Sequence, residues 1–270
     1  MCILFNARSL NNKLSEFQLL LNTSAYKLVF VTETWFQDDI TDSMISNGDR
    51  YHIIRCDRSG RRGGGVCALV CNDIKYSTVS LSDTQKQLLI QSCCDLICFD
   101  VIWLNFKYRF ILVYRPPHSS GITNDQVHSE CLSTLIFNLS PKHGTTIILG
   151  DLNLPHIDWF NNRTMNNDFD HNCLFECFSN LGLSQFVLEP TRLNLNGVSN
   201  TLDVILSNDP LIINIIEVSE PFSTSDHCMI NFSLLLPPSK QHTSVAQPSD
   251  QSPLLPIYDW SAGNFEAINP

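Results

Sequence analysis

The feature that most constrains this chain is where its short apolar runs stop. Ile3-Leu-Phe5, Leu28-Val-Phe-Val31, Ile111-Leu-Val113 and Ile147-Ile-Leu149 each end at, or beside, a residue able to bind a hard cation or handle a proton. Those residues are Asn6, Glu33, Tyr114-Arg115, and Asp151 with Asn153. Asp203 stands where Leu202–Leu206 begins, and Ser225-Asp-His227 comes just before the run that starts at Met229. Runs of this length and β-branched content are strands. Strand ends crowd at the rim of a sheet, so the pattern gathers acids, amides and an imidazole along one edge.

The strands read along the chain are Met1–Phe5, Leu28–Val31, Tyr51–Cys56, Val66–Cys71, Leu96–Phe106, Phe110–Val113, Thr145–Leu149, Leu202–Leu206, Ile212–Val218 and Met229–Leu235. Helical spacing of apolar residues predicts helices over Lys13–Leu21, Gln126–Leu139 and Cys173–Leu181. Strands outnumber helices, which makes this a sheet-dominated α/β chain. From Leu236 the composition turns to Pro, Ser and Gln. The expected organisation is therefore one domain over 1–236, then a Pro/Ser-rich linker and a truncated-looking C-terminal segment over 237–270.

The 27 acidic residues outnumber the 17 Lys and Arg, for a formal net charge of −10. Bulk positive charge therefore does not draw the chain to nucleic acid, although an acid cluster can meet phosphate through a metal ion. The 11 cysteines include no Cys-x-x-Cys and lie mostly in apolar runs, as in Gly65-Val-Cys-Ala-Leu-Val-Cys71. They read as small buried thiols, so neither a zinc site nor a disulfide-linked partner is expected. The absence of a signal peptide points to an intracellular location, nucleus or cytoplasm. No apolar stretch is long enough to span a membrane.

Carboxylates from Glu33, Asp151 and Asp226 suit Mg²⁺, with Mn²⁺ as an alternative ion, because hard cations prefer oxygen ligands and complete their shell with water and substrate phosphate. His227 beside a carboxylate would stabilise developing charge or move a proton. Together these residues are equipment for metal-assisted phosphoester hydrolysis.

At these residues the sequence resembles the endonuclease/exonuclease/phosphatase superfamily, which includes deoxyribonuclease I and the apurinic/apyrimidinic endonucleases. Within it the chain is most similar to the endonuclease domain of non-LTR (LINE-type) retrotransposons. The motifs appear in the family's order as NARSL (Asn6–Leu10), TETWF (Thr32–Phe36), GGGV (Gly63–Val66), VYRPP (Val113–Pro117), GDLNLP (Gly150–Pro155), NTLDVIL (Asn200–Leu206) and SDH (Ser225–His227). The resemblance implies a deoxyribonuclease I-like four-layer α/β sandwich, with two packed, mainly antiparallel sheets flanked by helices.

It also implies roles. Glu33 is the principal metal ligand, supported by Asn6. Asp151 positions or activates the attacking water, with Asn153 beside it orienting the phosphate or the acid. Asp203 bonds to His227, whose imidazole contacts the scissile phosphate. Asp226 lies close to the metal, Tyr114 contacts a phosphate oxygen, and Arg115 adds positive charge. Where repair-type members carry an acid, this chain has Arg8, a loss for two-metal schemes and a gain for contact with DNA.

Singly, each signal has an ordinary structural reading: Gly150-Asp-Leu-Asn as a turn, Glu33 as part of a cap, His227 as a satisfied histidine. Joint occurrence in order reverses those odds. Arg58, Arg61 and Arg62 form the one concentrated basic stretch, and gripping a DNA backbone and a solvated loop stand level as its readings. His118, His128, His143, His156 and His171 are assigned no role. The resulting expectation is a Mg²⁺-dependent, strand-nicking DNA endonuclease, the chain being a fragment or relic of a retrotransposon protein. Phosphoinositide or sphingolipid hydrolysis and a catalytically idle interaction module are the alternatives.

Overall fold

A run such as Cys2–Asn6 is apolar at successive positions, not alternating ones, because both of its faces are covered. In the computed structural model Leu4 points into a core shared between two sheets, while Ile3 and Phe5 pack beneath a helix on the opposite face. The structure describes residues 1–46, 50–58, 60, 62–117, 125–165, 168–192 and 200–235. The expected linker and terminal segment over 237–270, and Arg61, lie outside the described residues.

The elements are, in order, β1 (Cys2–Asn6), α1 (Leu14–Thr23), β2 (Leu28–Thr32), α2 (Asp42–Ile45), β3 (Tyr51–Cys56), β4 (Val66–Cys71) and β5 (Lys75–Thr78). There follow α3 (Asp83–Ser92), β6 (Asp95–Trp103), β7 (Phe106–Tyr114), α4 (Asp125–Leu139) and β8 (Thr145–Asp151). The remainder are β9 (Ile157–Asp158), β10 (Arg163–Thr164), α5 (Phe169–Asn180), β11 (Ser184–Gln185), β12 (Asp203–Ser207), β13 (Ile213–Pro221) and β14 (Cys228–Leu234).

Two 6-stranded sheets result, in the orders β13-β14-β1-β2-β4-β3 and β11-β12-β8-β7-β6-β5. Each contains a single parallel pair, β1 with β2 and β7 with β8, and is otherwise antiparallel. Both parallel pairs need a crossover, supplied by α1 and α4. The sheets face each other across Phe30, Phe99, Phe110 and Phe232, with Phe30 centroids 5.5 Å from Phe110 and 6.2 Å from Phe232. Helix α1 covers the outside of the first sheet, and α4 and α5 the outside of the second. This is the expected α/β sandwich of two mainly antiparallel sheets flanked by helices.

Register sets the functional rim. In the first sheet Asn6 is level with Thr32, and Thr32 with Val66. In the second, Asp95, Tyr114, Asp151 and Asp203 stand in one row across neighbouring strands. The acids noticed at strand ends thus share a line because the strands end in register.

Two local readings are corrected. The single strand expected over Leu96–Phe106 is broken at Leu104-Asn105, where φ values of 49° and 67° form a tight hairpin and Phe106 opens β7. Helix α3 was not anticipated, although Ser82 and Gln85 form a capping box in which the Ser82 side chain accepts from the Gln85 N–H.

Gly150 lies where β8 runs parallel to β7, with φ of 130°, and a Cβ there would sit 1.9 Å from the Val113 carbonyl oxygen. Only glycine lets the backbone close to this distance while carrying Asp151 to the rim. Gly150→Ala is expected to lower unfolding stability by about 2–4 kcal/mol through backbone strain and overpacking. Urea denaturation measures this, and wild-type stability would contradict the packing described.

Candidate active site

Asn6, the last residue of β1, is fully buried, and its amide is the pivot of the site. Nδ2 donates to Glu33 Oε1 at 2.9 Å and to Asp151 Oδ2 at 2.8 Å, while Oδ1 accepts the Arg8 N–H at 2.9 Å. The amide thereby ties a carboxylate of one sheet to a carboxylate of the other. Glu33 follows β2 in a left-handed conformation, φ 52°, and also accepts from the Trp35 indole, Nε1 to Oε2 3.0 Å.

Asp151 ends β8 and is fixed on its other oxygen by the Asn153 N–H, 3.1 Å from Oδ1. Asn153 has φ of 48°, a conformation Asn tolerates better than most residues, and its Nδ2 donates to the Arg115 carbonyl at 2.7 Å. Its backbone therefore orients the acid. Burial, reinforced by the neighbouring Asp203 and Glu33 charges and opposed by His227, raises the Asp151 carboxyl to about 7.

Asp203 Oδ2 lies 2.8 Å from His227 Nδ1 and accepts from Thr191 Oγ1 at 2.7 Å. The same threonine hydroxyl accepts the N–H groups of Leu202 and Asp203, at 3.1 and 3.0 Å. Ser225 Oγ donates to the Asn6 carbonyl at 2.7 Å and accepts the His227 N–H, tying the Ser-Asp-His segment to β1. Burial alone would lower the His227 pKa, but the Asp203 charge and hydrogen bond outweigh it, aided by Asp151 and Asp226, and push it up to about 9. At neutral pH the imidazole is a cation.

Tyr114 is held beside Glu33 and Asp151. Burial and those charges raise its pKa, so its hydroxyl stays protonated and can donate. Arg58 sits 5.2 Å over the Tyr114 ring.

The basic residues depart from expectation. Arg115 is 4% exposed and donates to the Leu152 and Asn153 carbonyls at 3.3 and 3.1 Å, so its guanidinium braces the Asp151 loop from inside. Arg58 is likewise largely buried, bonded through Nε to Asp95 Oδ1 at 3.0 Å. A Cβ at Gly64 would lie 2.3 Å from the Arg58 guanidinium carbon, which is what the glycine run provides for. Arg62 is exposed, its guanidinium 5.1 Å over the Trp35 ring. Arg8 is exposed at the rim and pairs with Asp226 at 2.8 Å.

Asp226 lies at the same rim, beside His227. Its Oδ2 is held by Arg8 and, at 3.0 Å, by Arg192 Nε, and Oδ1 lies 3.9 Å from His227 Nε2. Burial opposes ionisation, but Arg8, His227 and Arg192 together hold the carboxyl below its ordinary range. Its Oδ1 is buried without a hydrogen-bond partner. Thr191, Arg192 and Trp35 were not singled out from sequence. Trp35 lay inside the TETWF motif, whereas Pro190-Thr-Arg192 offered only a hydroxyl and a base near Asp203.

The donor chemistry fits a divalent cation. Asp151, Asp203 and His227 bring one ligand atom each within 4.8 Å of one another, and Asp203 Oδ1 is buried without a hydrogen-bond partner. Since His227 Nδ1 and Asp203 Oδ2 engage each other, the oxygens best suited to a hard ion are those of Glu33 and Asp151 on either side of Asn6.

Residues 108–231 match the family model described as endonuclease-reverse transcriptase. Three solved structures share the fold. A 3′ phosphatase from Neisseria bound to a product DNA hairpin is 16% identical, with 86% of this chain and 98% of that one covered and a TM-score of 0.61. The endonuclease domain of TRAS1, a telomere-specific non-LTR retrotransposon, is 15% identical over 87% and 98%, TM-score 0.59. An AP endonuclease from Archaeoglobus fulgidus is 14% identical over 87% and 99%, TM-score 0.63. No curated protein matched the sequence. The chain shares its fold with these structures, and residues 108–231 resemble the endonuclease-reverse transcriptase family.

In the metal-free protein the His227 imidazole is expected to titrate near 9 by NMR, and in Asp203→Asn to fall well below that, since the largest influence opposing burial is removed and only Asp151 and Asp226 still oppose it. Because the folded pKa is raised, the stabilisation from this pair is complete below about pH 6.5 and lost as pH rises through about 9. Titration unchanged by Asp203→Asn would remove Asp203 as the cause.

Proposed function

We propose that this chain is a divalent-metal-dependent DNA endonuclease that nicks one strand, as a retrotransposon-type endonuclease would. The observation that carries the reading is the juxtaposition at one rim of Glu33 and Asp151, joined by the Asn6 amide, with the Asp203–His227 pair. Mg²⁺ or Mn²⁺ held by Glu33, which the Asn6 amide orients opposite Asp151, would supply charge neutralisation at the phosphate oxygens.

The protein's own groups divide the remaining work. Asp151, with its pKa raised to about 7, is matched to accept a proton from water near neutral pH. The water oxygen bonds to phosphorus, the bond to the 3′ oxygen breaks, and a 3′ hydroxyl and a 5′ phosphate remain, the departing oxygen taking its proton from solvent. His227 presents a cationic Nε2 to the phosphate, oriented by Asp203 through the other ring nitrogen. The protonated Tyr114 hydroxyl donates to a second phosphate oxygen. Arg8 and Arg192, both on Asp226, place positive charge at the rim of an otherwise acidic protein.

Supercoiled plasmid incubated with purified protein and Mg²⁺ is expected to relax to open circles, and EDTA to stop the reaction. Glu33→Ala and His227→Ala should each slow nicking by at least about 100-fold. No nicking by folded protein, or equal rates in the variants, would refute the assignment.

A further inference from the structure

Beside Glu33 opens a cavity of about 760 Å³ with no part in the chemistry above, lined by Ser9, Asn11, Asn12, Trp35, Arg62 and Gly63 among others. Its aromatic wall is Trp35, which is half-buried and fixed from several directions. The Trp35 N–H donates to the Gly64 carbonyl at 2.9 Å, its carbonyl accepts from Asn11 Nδ2 at 3.0 Å, and its indole N–H is bonded to Glu33. The residue adopts φ of 56°, a costly conformation for a bulky side chain. That cost is met by contacts that hold the ring at the cavity wall. Gly63, φ 86°, lies against the ring edge, where a Cβ would fall 3.7 Å from Nε1, and exposed Arg62 sits 5.1 Å over the ring.

We propose that this cavity is a nucleobase subsite, in which an unpaired base next to the scissile phosphate stacks on the Trp35 indole beside the Arg62 guanidinium. The inference rests on the nuclease reading and adds a substrate-positioning element to it. A flat π-system is what an indole and a guanidinium recognise together, and such stacking accepts any base because every base has a π-face. A saturated polyol headgroup offers no comparable face. The neighbouring amides of Asn11 and Asn12 provide donors and acceptors for a base edge. The geometry also links the subsite to catalysis, since the ring that would carry the base holds Glu33 Oε2 through its N–H.

The test measures binding and not turnover. In the full chain carrying His227→Ala, with Mg²⁺ at low ionic strength, fluorescence anisotropy would follow a labelled single-stranded oligonucleotide and the same oligonucleotide with abasic sites. Trp35→Ala is expected to weaken binding of the intact strand about tenfold and of the abasic strand hardly at all. Trp35→Phe, which keeps a ring, should restore most of the loss, and Arg62→Ala should lose part of it. Circular dichroism would establish that each variant is folded. Equal affinity of Trp35→Ala and the parent for the intact strand, or an equal loss on both strands, would overturn the subsite. Base-dependent binding through Trp35 without any plasmid nicking by the unmodified chain would instead overturn the nuclease reading while leaving the subsite standing.

Discussion

Everything at the rim depends on one neutral amide. Asn6 places its two N–H bonds between a carboxylate that follows β2 in one sheet and a carboxylate that ends β8 in the other. Two acids brought together at the edge of a low-dielectric core repel each other, and the repulsion would part the sheets where they must meet. A lysine at this position would neutralise a charge the site needs. An amide donates to both acids without cancelling either, and leaves its oxygen facing the Arg8 N–H. The bridge therefore acts as a seam between the sheets and as the spacer that fixes the two acids relative to one another.

Around that seam the charges are arranged in graded steps. Asp203, fully buried and bonded to Thr191, makes His227 cationic, and that cation restrains the rise of the Asp151 pKa. Farther out Asp226 is held between Arg8 and Arg192, two guanidiniums against one carboxylate, although the chain as a whole is at −10. The proton affinities of Asp151, Asp226 and His227 are thus set by local pairs. The Trp35 wall next to Glu33 follows the same principle, since one side chain both shapes a cavity and orients an acid.

Much of this was legible in the sequence, for physical reasons. Strands covered on both faces appear as unbroken apolar runs, so Met1–Phe5, Val66–Cys71 and Thr145–Leu149 announced themselves, and Asn6 and Asp151, just beyond the first and third, marked the rim. Helix α3 went unseen because its apolar residues are few, although its capping box was present. The hairpin at Leu104-Asn105 was hidden because a leucine adopts a conformation usually left to glycine or asparagine. The fates of the arginines were not readable at all. A guanidinium on the surface and one bonded to buried carbonyls have the same letter, and only the fold brought Arg58 to Asp95 and Arg115 to the Asp151 loop. Thr191 was invisible likewise, its importance arising from a contact with Asp203, 12 residues further along the chain.

The most direct measurement is the affinity of the protein for Mn²⁺, read by electron paramagnetic resonance, in the parent chain and in Asn6→Leu, a change that keeps the branching of the side chain and removes the amide. If Asn6 holds Glu33 and Asp151 in a common site, Mn²⁺ binding should weaken by about 10–100-fold while the circular dichroism spectrum is retained. Unchanged affinity in a folded Asn6→Leu protein would contradict the claim that this amide assembles the site.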